Sequence, residues 1–134
     1  MNYKVTASSS SKNNASIEIK ESNLLFGTIP AAESTLPNPA ELFLGSFSAC
    51  VLKNVERFST MMKFNYDKAE ITVEAIRLEK PPRMDEINYN LKVYSDDENL
   101  NIDLLKKNIE KFGTMYNTVK STCSVTGQVI KVPE

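Results

Sequence analysis

Two cysteines, Cys50 and Cys123, are the sulfur nucleophiles of a chain of 134 residues that contains no histidine. Without imidazole there is no histidine general base, no His-based triad and no His-ligated zinc. Two cysteines alone make a poor metal site, so neither a metal nor another cofactor is expected. Chemistry, if there is any, falls to sulfur, as a free thiol or a transient redox partner in a reducing compartment. On spacing alone two readings of Cys50 stand: a small buried hydrophobe, the common fate of free cysteine, and a nucleophile. Cys123, after Ser121-Thr122 and ahead of an expected strand, reads more plainly as structural. It would resolve an oxidised Cys50 only if the two Cα atoms came within about 7 Å.

The element that must position Cys50 is a long helix over residues 38–58. Asn38 can cap it, Pro39 suits its first turn, and Glu41 completes a capping-box pattern. Phe43, Phe47, Cys50, Val51, Val55 and Phe58 recur at helical spacing, so the thiol belongs to an apolar face. Leu42, Leu44 and Leu52 lie off that stripe, and Gly45, Ser46, Ser48 and Ala49 are small enough to admit a close partner, as in a symmetric dimer. A cysteine nucleophile acts as its thiolate, and an apolar setting then requires a nearby cation. Lys53 is one turn along on the same face. Arg57 is two turns on, roughly 10 Å along the axis, and would have to fold back or act across a dimer interface.

Around this helix the alternation of apolar and polar residues predicts short strands at residues 3–7, 16–20 and 24–26. Residues 28–37, with Pro30 and Pro37, read as a loop. Residues 67–79 form a strand with one wet face, and Ile87, Tyr89, Leu91 and Val93 mark the next, across a break at Lys80-Pro81-Pro82-Arg83. The acidic loop at 96–98 is expected to be solvated and to favour a following helix. Ile102, Leu105, Ile109, Phe112, Tyr116 and Val119 define that second amphipathic helix, with a kink or restart at Gly113. Residues 128–132 close the chain as a strand. Phe58, Met61, Met62 and Phe64 look like an adaptable apolar surface, although Met and aromatic clusters at helix ends are more often core than ligand site. The pattern is α+β, with helices packed on an antiparallel sheet.

The bulk numbers narrow the function class. Sixteen basic and 17 acidic residues are interspersed for a net charge of −1, which is no footprint for a nucleic acid. Charged residues at 25% and apolar residues at 41% describe one globular domain, residues 1–134. No apolar run reaches the ~18 residues of a membrane span. No apolar signal segment follows Met1-Asn2-Tyr3-Lys4, so the expected location is the cytoplasm.

Asn38-Pro39-Ala40-Glu41-Leu42, followed by Ser48-Ala49-Cys50, resembles the Asn-Pro-Glu-x-Leu…Ala-Cys segment of the OsmC/Ohr family, the osmotically inducible and organic hydroperoxide resistance proteins. Gly113-Thr114-Met115-Tyr116-Asn117-Thr118-Val119 is similar to that family's second-cysteine motif, Cys-Pro-Val-Ser-x-Thr-Leu. The resemblance implies an intertwined homodimer with the long helices central and the thiols near the interface. It also implies reduction of organic hydroperoxides by two cysteines, an arginine and a glutamate. Cys50 matches the attacking cysteine. Ala40 stands at the glutamate position with Glu41 beside it, Gly113 stands at the second cysteine, and no arginine precedes Arg57. Cys123 lies ten residues beyond the second-cysteine position.

Two functions follow. One is a thiol-dependent peroxidase in oxidative-stress defence, with Cys50 attacking, an external thiol restoring it, and Glu41, Lys53, Arg57 and Cys123 as supporting residues. The other is a non-catalytic dimer of the same fold binding a small apolar ligand. A redox sensor is a third reading, without a visible partner motif.

Overall fold

Asn38 and Glu41 exchange hydrogen bonds across the first turn of helix α1 (Pro39–Met62) in the computed structural model, which describes all residues from Met1 to Glu134. The Glu41 N–H donates to Asn38 Oδ1 at 2.8 Å and the Asn38 N–H donates to Glu41 Oε1 at 3.0 Å. This reciprocal box satisfies amide donors that no helical carbonyl can reach. The helix then runs beyond the expected residue 58 to Met62, and Lys63 ends it with a φ of 57°.

The chain forms two compact units, Met1–Phe43 and Leu44–Glu134. In the first, β1 (Thr6–Ser8), β2 (Ala15–Ile19) and β3 (Ser22–Phe26) make an antiparallel meander in that order. The first strand starts later than its alternation predicts. Thr6 pairs with Glu18, so Lys4 and Tyr3 would face the turn at Lys20 and Glu21, where no ladder exists. Residues 28–37 form a loop holding one 3-10 turn, Pro30–Ala32, and the Gly27 N–H donates to the Pro37 carbonyl at 3.0 Å. Much of this unit's apolar surface is uncovered: Val5 and Leu25 are 59% and 58% exposed.

In the second unit, β4 (Lys68–Glu79), β5 (Pro82–Tyr94) and β6 (Val125–Val132) form a sheet with β5 central. Pro82 opens β5 instead of separating the strands, since the first position of a strand tolerates a missing donor. The expected all-antiparallel sheet is mixed: β4 and β5 are antiparallel, but β6 lies parallel to β5. The cause is connectivity. Helices α2 (Ile102–Phe112) and α3 (Thr114–Lys120) lie between β5 and β6, and a helical crossover returns the chain in its original direction. Gly113 interrupts the helical run, as its sequence position predicts.

Ile87, Tyr89, Leu91 and Val93 on one face of β5 are fully buried, while Asn88, Asn90 and Lys92 on the other are exposed. Phe47, Val51, Val55 and Phe58 of α1 and Leu105 and Ile109 of α2 complete the core. The Phe47 ring lies 5.9 Å from Tyr89 and 6.4 Å from Tyr116, so the helix's apolar stripe meets the sheet and α3 through aromatic contacts. In the acidic loop, Asp97 accepts the N–H groups of Asn65 and Asn99, both at 2.8 Å, and these bonds hold its carboxyl below the usual carboxylate range. The α2 cap itself is Asn101, whose Oδ1 accepts the Leu104 N–H at 3.1 Å.

Candidate functional site

Cys50, Lys53, Asn54 and Arg57 stand at i, i+3, i+4 and i+7 of α1, the spacing that puts side chains on one helix face. Opposite them, the break at Gly113 sets Phe112, the last residue of α2, beside Thr114, the first of α3. Together with Glu56 these residues line a cavity of about 430 Å³, a volume suited to a small organic molecule. The half-buried Cys50 thiol is the nucleophilic group in its wall. Phe112 is 48% exposed, and its ring packs on Phe58 at 5.9 Å.

The cations are present and unpaired. Neither Lys53 nor Arg57 has a carboxylate within ion-pair distance, and the Arg57 guanidinium lies 5.4 Å from the Phe58 ring centroid. Glu56, the acid on this wall, is engaged elsewhere, since its carboxylate accepts the Tyr66 hydroxyl. Burial first, then that bond and the Glu56 charge, push the Tyr66 hydroxyl up to about 12. Because this lies above the ordinary phenol value, the neutral hydroxyl's contribution to stability is complete below about pH 10. It is lost as the pH rises through about 12. Tyr66→Phe should therefore remove one phenolate absorbance step near pH 12, and loss of a step near the ordinary value would show the hydroxyl to be unheld.

Three of the expected residues, Cys50, Lys53 and Arg57, share the cavity wall. Arg57 lines the cavity from two turns farther along the same helix, within its own chain. Glu41 is committed to the helix cap. Cys123 lies outside the cavity lining, its thiol donating to the Met84 carbonyl at 3.3 Å. Sequence reasoning passed over Asn54, Glu56, Phe112 and Thr114. A signal existed for Asn54, a polar residue inside the apolar stripe one turn from Cys50, buried to 8% exposure.

Residues 32–127 match the sequence profile of the family described as OsmC-like protein. The chain belongs to the OsmC-like family. No curated protein sequence matches it. Among solved structures, it is similar to an OsmC-like protein from Mycoplasma pneumoniae, with a TM-score of 0.82 at 17% identity over 98% of both chains. It is also similar to an organic hydroperoxide resistance protein OsmC from Legionella pneumophila, with a TM-score of 0.67 at 17% identity over 95% of this chain and 96% of that one. The organic hydroperoxide resistance protein OhrB of Bacillus subtilis aligns with a TM-score of 0.64 at 19% identity over 97% and 98%. At such identities the likeness is one of fold.

In this OsmC-like protein Gly113, between α2 and α3, has no room for a side chain unless its neighbours shift. A Cβ on Gly113 would lie 2.7 Å from the Ile109 carbonyl oxygen and 3.2 Å from the Tyr116 Cβ. No helix is long and apolar enough to cross a membrane.

Proposed function

We propose that this OsmC-like protein is a thiol peroxidase for organic hydroperoxides, with Cys50 as the attacking residue. The observation that carries this reading is the placement of a half-buried thiol in a ligand-sized cavity whose wall also holds Lys53 and Arg57 without carboxylate partners. The Cys50 thiolate attacks the terminal oxygen of the hydroperoxide, the O–O bond breaks, and the alkoxide leaves as the alcohol after taking the proton the thiol released. Sulfur is oxidised by two electrons to the sulfenic acid. An external dithiol then condenses with the sulfenic acid, expelling water, and its second thiol displaces Cys50 as a free thiol. The tight approach at Gly113 favours an external reductant over an internal one.

We also infer that residues 1–134 act as one OsmC-like domain in a homodimer, since the exposed apolar residues Val5, Ile19, Leu24 and Leu25 of the meander need a cover that a second copy can supply. Two free thiols suit a reducing compartment, the cytoplasm. Steady-state reduction of cumene hydroperoxide with a dithiol tests the enzyme reading. Saturable turnover, with sulfenic acid trapped at Cys50, is expected. The commitment of Glu41 to the cap and the closed position at Gly113 favour the competing reading, a non-catalytic dimer holding a small apolar ligand. Absence of turnover, with ligand binding that protects Cys50 from alkylation, would establish that reading instead.

A further inference from the structure

A carboxamide, not a second thiol, is the neighbour of the Cys50 sulfur. Asn54 is 8% exposed and is the buried polar residue of α1. Its Nδ2 donates to the Cys50 carbonyl oxygen at 3.1 Å and lies 3.6 Å from Cys50 Sγ, also as a donor. Its Oδ1 accepts no hydrogen bond from the protein, and the residue lines the cavity. A Cβ on Gly113 would lie 3.6 Å from the same Nδ2, so the amide borders the space that a second cysteine would have claimed. Packing does not ask for this residue. Asparagine is a poor helix former, and burying an amide costs free energy that an aliphatic side chain on this stripe would not incur.

We infer that Asn54 is a positioning residue for the Cys50 sulfur, its Nδ2–H donating to the thiolate before attack and to the sulfenate after it. The inference rests on the peroxidase reading for the second role but not for the first. A hydrogen bond to the anionic sulfur fixes the side chain's rotamer toward the cavity and holds the reactive lone pair in place. The two-electron step itself is unchanged: the hydroperoxide supplies the oxygen and leaves as the alcohol.

The test separates position from packing and from peroxide chemistry. Asn54→Leu keeps the volume and removes the donor, and Asn54→Gln keeps an amide. At fixed pH, alkylation of Cys50 by iodoacetamide should be about tenfold slower in Asn54→Leu, the size expected for losing one hydrogen bond to a charged atom. The glutamine variant should recover part of that rate, while thermal melting of the leucine variant matches or exceeds that of the parent. Sulfenate formation with cumene hydroperoxide should fall in the same proportion. If Asn54→Leu does not fold, Asn54→Ala serves with the same expected loss. Equal alkylation rates in the folded variant and the parent would overturn the role of Asn54, whatever the peroxide assay gives. A parent that alkylates normally yet forms no sulfenate would overturn the peroxidase reading and the sulfenate role. The thiolate role would then stand or fall on the alkylation rates alone.

Discussion

Cys50→Ser should reduce hydroperoxide turnover to the background rate, a loss on the order of a thousandfold or more, because a serine hydroxyl neither ionises at neutral pH nor accepts the peroxide oxygen. Cys123→Ser should retain activity within about twofold. Its thiol is spent on the Met84 carbonyl at 3.3 Å, a bond that a serine hydroxyl can also make, and it does not line the cavity. The pair is informative because both variants keep the volume and both remove one of the two free thiols. Steady-state assays with a dithiol reductant, run beside thermal melts, separate lost chemistry from lost fold. Equal loss in the two variants would mean that the cysteines work as a pair. An unaltered rate in Cys50→Ser would leave the cavity without a nucleophile and end the peroxidase reading.

The features of this site that were legible in the sequence are those governed by local rules. The Asn38–Glu41 box depends on residues three apart, and its two hydrogen bonds form as the pattern predicts. The same fact reassigns Glu41, since a carboxylate holding the Asn38 N–H serves the helix end. The break at Gly113 was equally local. The direction of β6 was not, because parallel pairing with β5 is decided by the helices between them and by register over distant residues. Periodicity of apolar residues located the buried face of α1 but could not see Asn54, because a count of apolar matches treats a polar residue on the stripe as a gap. Helical rise measured Arg57 along the axis only; the convergence of positions 50, 53, 54 and 57 on one cavity also needs rotation about it and side-chain reach. Phe112 and Thr114 were legible only as parts of a helix stripe and of a motif, since their part in the wall depends on how α2 and α3 meet across Gly113.

Gly127→Ala should be the most damaging single-methyl substitution in the second unit, costing about 3 kcal/mol or more, at or beyond the upper end of ordinary overpacking. Gly127 pairs with Tyr89 in the parallel register of β6 and β5, and the tyrosine ring lies across it. A Cβ at this position would come within 1.9 Å of Tyr89 Cε1 and 2.1 Å of Cζ. Relief is expensive because the ring is pinned at both ends. Its hydroxyl donates to Glu110 Oε2 at 2.7 Å, Lys106 Nζ holds the same carboxylate at 3.1 Å, and Phe47 packs 5.9 Å away. Moving the ring would strand a buried hydroxyl and open the aromatic cluster that seats α1; moving β6 would break its ladder with β5. Urea unfolding at fixed protein concentration measures the cost, and a double-mutant cycle with Tyr89→Ala assigns it. The alanine at 127 should cost far less once the ring is gone, giving a coupling of at least about 2 kcal/mol. If the two costs simply added, the ring would not be what excludes a side chain from residue 127, and the packing of Tyr89 over β6 would need another account.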